Sequence, residues 1–173
     1  MSRLPRPRPR TASRVAAVQA LFQSEQTGES AETVIDQFIR HRLGALPDAA
    51  DDEEGYAEGR VPHARVALFG QIVRQAVQSQ DVIDRMVIES LPREWPLARL
   101  DPVLRAVLRA GGAELTMADG PPAKVVINEY VDVARGFFMG DEPRMANGVL
   151  DKLAHRLRAA EFEAADHRDG GGR

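Results

Sequence analysis

An all-α fold, about seven helices in two packed helical-bundle subdomains, is predicted by three features of the chain. Apolar residues recur three and four apart along nearly the whole sequence. Nowhere do apolar and polar residues alternate as in a half-buried strand. Proline, glycine and capping residues fall at the ends of the periodic stretches. With 173 residues, the chain can bury about 70% of its unfolded surface without staples. It has no cysteine, which excludes disulfide scaffolds, zinc ribbons and thiol nucleophiles. No apolar run is long enough for a membrane span. A basic start without an apolar segment behind it argues against a secretory signal, so a cytoplasmic protein is expected.

The elements follow in order. Val15, Val18 and Phe22, widened by Leu21, predict a helix over 13–26 that stops at Gly28. Ser30 is a natural N-cap for a second helix carrying Val34, Ile35, Phe38, Ile39 and Leu43, with Gly44 after it. Residues 46–60 lack an apolar period and predict a mobile loop. Pro62 suits the first turn of a third helix bearing Val66, Phe69, Val73 and Val77. A break at 79–81 separates it from a fourth, with Ile83, Met86, Val87 and Leu91. Pro92 and Pro96 bracket the expected subdomain boundary.

Asp101–Pro102 opens a fifth helix with Leu104, Val107, Leu108, Gly111 and Leu115 on one face. Gly111 and Gly112 each cost about 1 kcal/mol relative to alanine inside a helix. Their presence predicts a close approach by another helix backbone. Pro121–Pro122 starts a sixth helix through Ile127, Tyr130, Val131, Ala134 and Phe138. Asp141 and Pro143 start the last, with Ala146, Val149, Leu153 and Leu157. The expected organisation is a flexible arginine-rich arm (1–14), an N-terminal subdomain (13–92), a C-terminal subdomain (97–163) and a disordered Gly-rich tail (164–173).

Charge is unevenly spread behind a net of −3. Arg3, Arg6, Arg8, Arg10 and Arg14 stand in a stretch without acids. Asp48, Asp51, Asp52, Glu53, Glu54 and Glu58 stand in one without bases. Catalytic signatures are missing: no P-loop, no dinucleotide-binding glycine motif, no H-E-x-x-H, no G-x-S-x-G. His41, His63, His155 and His167 have no ligand-spaced partners and read as solvated or capping residues. The acidic run lacks a rigid scaffold for a metal. Glu129, Asp132 and Arg135 read as a surface ion-pair ladder. No enzyme, metal or cofactor is expected. The arm differs: its prolines extend the arginines immediately before a helix N-terminus, where amides and dipole favour phosphate. Guanidinium forks suit phosphate better than ammonium does, so the charge pattern fits nucleic-acid binding and equally a disordered basic tail that aids solubility. Phe22 is the nearest aromatic platform for a base.

Four segments carry a family resemblance. Ala16-Ala17-Val18-Gln19-Ala20-Leu21-Phe22, behind arginines, resembles the opening helix of the bacterial NusB transcription antitermination family. Lys124-Val125-Val126-Ile127-Asn128-Glu129 and Asn147-Gly148-Val149-Leu150-Asp151-Lys152 are similar to its two most recognisable blocks. Arg105-Ala106-Val107-Leu108-Arg109, followed by Glu114-Leu115, resembles the helix between. Together they cover roughly 10–160 in the family's order.

The resemblance implies an all-α fold and a non-catalytic function. The protein would bind boxA RNA as a heterodimer with NusE, the small-subunit ribosomal protein. The pair would serve RNA polymerase and other Nus factors in ribosomal RNA operons. The implied RNA-binding residues are Arg6, Arg8, Arg10 and Arg14 on the arm, and Gln19 and Phe22 on the first helix. Asp141, Arg144 and Met145 are implied at the start of the last. Phe22 stands where some members have tyrosine. Ala113 stands where an aromatic is common, which implies a reshaped core or NusE face. The acidic segment 48–58 is longer and more negative than the family implies. A runner-up is the similar helical domain preceding the catalytic domain of some ribosomal RNA cytosine methyltransferases. No methyl-donor domain follows within these residues, and the Gly-rich tail is expected to be a natural end. A third reading is a protein-only scaffold. Without its partner, such a domain can bury the same apolar surface in a homodimer.

Overall fold

Period-3.6 patterning becomes seven α-helices in a computed structural model that describes residues 8–43 and 64–163. They are α1 (Pro9–Thr27), α2 (Ala31–His41), α3 (Val66–Gln78), α4 (Gln80–Ser90), α5 (Pro102–Thr116), α6 (Ala123–Phe137) and α7 (Glu142–Leu157), with one 3-10 turn at Leu97–Arg99. No strand occurs among the described residues. Arg3 and Arg6, the acidic segment 48–58, and the tail 164–173 lie outside them.

Local rules account for most boundaries. The Ser30 hydroxyl accepts from the Thr33 N–H and the Asp101 carboxylate from the Val103 N–H, both N-caps. Gly28 closes α1 in the left-handed region at φ 74°. Two starts differ from expectation. α1 begins at Pro9 rather than near Ser13, so Arg10 and Arg14 belong to the helix and not to an extended arm. Proline at the first helical position forfeits no hydrogen bond, which allows the earlier start. α3 begins at Val66, four residues after Pro62.

α5 is the axis of the molecule. Ten of its fifteen residues are buried, the signature of a helix surrounded by others. It packs against α1, α3, α4, α6 and α7. Gly111 and Gly112 permit that packing, although side chains fill the space and not a helix backbone as expected. A Cβ on Gly111 would meet Leu150 Cδ2 at 2.9 Å, and one on Gly112 would meet Ile83 Cγ2 at 2.8 Å. α1 runs antiparallel to α5: Arg14 pairs with Glu114 at one end, and Glu25 with Arg105 and Arg109 at the other.

The first of these pairs is buried. Arg14 Nε and Nη2 donate to the two Glu114 oxygens at 2.9 and 2.5 Å. The Tyr130 hydroxyl donates to Glu114 Oε2 at 2.8 Å. Arg14 is 3% exposed, Glu114 1% and Tyr130 0%. Arg14 also reaches Glu129 at 3.2 Å. Burial pulls the Arg14 pKa down, but the bonds to Glu114 outweigh it and leave the group above its ordinary value. Burial, reinforced by the Glu114 charge, pushes the Tyr130 hydroxyl well above its usual range.

Removing the Glu114 charge leaves the buried Arg14 with Glu129 alone, partly exposed and 3.2 Å away. Glu114→Gln is therefore expected to cost about 3–5 kcal/mol, read as a lower urea midpoint at unchanged slope; an unaltered midpoint would mean the pair contributes nothing.

The second pair titrates. Hydrogen bonding to Arg105, with help from Arg109, holds Glu25 below the usual carboxylate value. A depressed folded pKa gives stability that is complete above the unfolded value of about 4.3 and is lost as pH falls through the folded one. The stability difference between the natural chain and Glu25→Gln is expected to be largest near neutrality and to close below about pH 4. Urea melts across pH check it; a constant difference would contradict it.

Candidate nucleic-acid interface

The arginines placed together on the arm by sequence do not stay together. Arg8 is the exposed N-cap of α1 and Arg10 is exposed in its first turn. Arg14 has turned inward, and both its guanidinium edges are taken up by Glu114 and Glu129. It is a core residue and cannot offer its fork to phosphate, a correction to its expected place on the RNA surface. Phe22 is partly buried against the core. Gln19 is half-buried, and its Oε1 has no hydrogen-bond partner among the described residues. Along α1, Gln19 stands about 12 Å and Phe22 about 16 Å beyond Thr11, at 1.5 Å per residue.

α6 connects the start of α1 with the start of α7. Thr11 Oγ1 donates to Glu129 Oε2 at 2.9 Å, which docks the first turn of α1 on α6. One turn further, Asp132 lines a groove together with Asn128 and Arg135 of α6 and with Pro143, Arg144 and Asn147 of α7. The predicted ladder is thus divided. Asp132 and Arg135 pair on the surface at 2.8 Å, while Glu129 turns back to Thr11 and Arg14.

Asp141 and Arg144 are exposed, and Met145 is packed partly into the core. Asp141 occupies the N-cap position of α7, but its side chain makes no capping hydrogen bond.

Two residues on this side were missed. Met139 is wholly exposed at the mouth of the groove, and Phe137 is 41% exposed. The run Phe137-Phe138-Met139 was the available signal, because three consecutive apolar residues cannot all face one core from a helix end. Guanidinium groups beside an apolar rim can contact phosphate and base faces respectively. Among the described residues no cluster of His, Asp and Glu could hold a metal ion, and no helix is long and apolar enough to cross a membrane. His155 is exposed, with Nδ1 at 2.8 Å from the Asp151 carbonyl and its ring stacked on Phe162.

Known proteins share both sequence and fold. Residues 11–155 match the pattern of the NusB family. The transcription antitermination protein NusB of Granulibacter bethesdensis is 65% identical over 157 residues, covering 91% of this chain and 94% of that protein. The solved T. maritima NusB superposes with a TM-score of 0.67 at 24% identity, over 94% of this chain and 99% of that one. A solved complex of antitermination factors NusB and NusE with dsRNA contains a chain of the same fold, with TM-score 0.62 and 20% identity. It covers 84% of this chain and 96% of that one. A family match across α1 to α7, with a relative this close over nearly its whole length, makes this chain a member of the NusB family.

Proposed function

We propose that this chain is a non-catalytic transcription antitermination factor that binds boxA RNA together with NusE during transcription of ribosomal RNA operons. The observation that carries the reading is the 65% identity, across 91% of the chain, to a protein named for transcription antitermination. A similarly folded chain solved with NusE and RNA supports both partners. Arg8 and Arg10 at the start of α1, and Arg144 at the start of α7, supply exposed cations on either side of α6. Arg6 joins them from the arm, and Met145, Gln19 and Phe22 complete the proposed RNA-binding set. Arg14 holds the set in place from beneath.

Fluorescence anisotropy of a labelled boxA RNA tests this, with the chain alone and with NusE, beside a scrambled RNA. Tighter binding to boxA when NusE is present is expected. Equal binding to both RNAs, controlled by salt alone, would overturn the reading. Replacing Arg6, Arg8 and Arg10 by glutamine while keeping Arg14 should weaken binding. The salt slope should flatten by about 0.7 for each phosphate that is no longer neutralised; an unchanged slope would make the arm a bystander.

Asp141 gives a prediction of opposite sign. Its carboxylate is exposed and caps nothing through its side chain. Near phosphates it is repulsive. Asp141→Asn is therefore expected to retain the fold and to bind RNA equally or more tightly. Weaker binding at unchanged thermal stability would remove Asp141 from the RNA surface.

A further inference from the structure

Ser13 is a fully buried polar residue on α1, and its hydroxyl joins two helix starts. It accepts from the Arg65 N–H at 2.6 Å, and its own proton faces the carbonyls of Pro9 at 2.9 Å and Arg65 at 3.0 Å. One hydroxyl therefore ties the N-cap of α3 to the first turn of α1. That turn is flanked by Arg8 and carries Arg10, and both are exposed, as is Arg65. The backbone of Arg65 is thus held beside the turn that carries Arg10, so exposed arginines from segments far apart in sequence start from one corner of the molecule. The planar forks match a phosphodiester bidentately.

We infer that Arg65 contacts the RNA backbone, extending the RNA surface from α1 onto α3, with Ser13 as its positioning residue. This rests on the RNA-binding function proposed above. A phosphate contact carries no sequence information, so Arg65 contributes equally to boxA and scrambled RNA.

Salt titrations of labelled boxA and scrambled RNAs with the full chain and NusE test it, using Arg65→Gln, Arg40→Gln and Ser13→Ala. Arg40 is exposed on α2 and paired with Asp36, so Arg40→Gln makes the same charge change elsewhere. Arg65→Gln is expected to bind both RNAs a few-fold more weakly, with a slope shallower by about 0.7. Arg40→Gln should keep the natural slope. An Arg65→Gln slope equal to the natural one overturns the inference, as does an equal flattening by Arg40→Gln. Ser13→Ala keeps all three charges and should weaken binding less than Arg65→Gln; a folded Ser13→Ala protein with natural affinity overturns the positioning role. If Ser13→Ala does not fold, Arg65→Gln decides, because that side chain is exposed. A natural chain that binds no RNA overturns the proposed function itself. Natural binding with an indifferent Arg65 overturns this extension alone.

Discussion

The bidentate pair of Arg14 and Glu114, with the Tyr130 hydroxyl closing on the same carboxylate, joins α1, α5 and α6 inside the molecule. A buried pair of this kind adds little stability over well-packed apolar residues, because both charges lose their hydration. It is intolerant of displacement, however. A shift of one helix by a single residue would strand a charge where no water can reach it. The rest of the packing follows from that register. α5 can be buried all round only if Gly111 and Gly112 admit Leu150 and Ile83, and those contacts require α7 and α4 at fixed heights along α5.

The same constraint shapes the outer surface. Arg10 and Arg14 are four residues apart on one helix and lie on one side of it, yet the first is exposed and the second is not. The difference is height along α1. Glu114 and Glu129 engage α1 at Thr11 and Arg14, and Arg10 precedes both contacts. Burying the one arginine anchors the helix whose first residues present the others. An anchored end loses less conformational freedom when a ligand binds.

Helix existence was legible because it rests on apolar spacing, which local sequence contains in full. Helix starts were less so. R-P-R-P-R reads as an extended arm, but Pro9 at the first helical position is compatible with α1. The candidate site was legible as a set of residue types, not as a placement. Counting arginines cannot separate Arg10 from Arg14, because the difference lies in partners about a hundred residues away. One signal was available: Glu114 sits between Ala113 and Leu115 in a run of buried positions. An acid there requires an internal cation. Likewise the spacing of Glu129, Asp132 and Arg135 fits a surface ladder, and only the docking of α1 shows that Glu129 serves the interior.

What sets the start of α6 lies outside the residues that match the family, which end at 155. The last carbonyls of any helix lack intrahelical partners. At the end of α5, Arg158 supplies them: its guanidinium donates to the carbonyls of Glu114 at 3.1 Å, Leu115 at 2.9 Å and Met117 at 3.0 Å, and to that of Pro121 at 2.6 Å. Glu161 then accepts the first N–H of α6, from Ala123, at 2.7 Å, and this bond holds its carboxyl below the usual value. One cation and one anion from the segment after α7 thus fix the turn between α5 and α6. The proline pair 121–122 cannot donate backbone hydrogen bonds, so within the turn only the Gly120 N–H closes back, on the Met117 carbonyl at 3.3 Å. The start of α6 is thus tied to Arg158 and Glu161 and its middle, through Tyr130, to Glu114 of α5, so the helix that forms one wall of the groove with α7 is bonded at two separate heights.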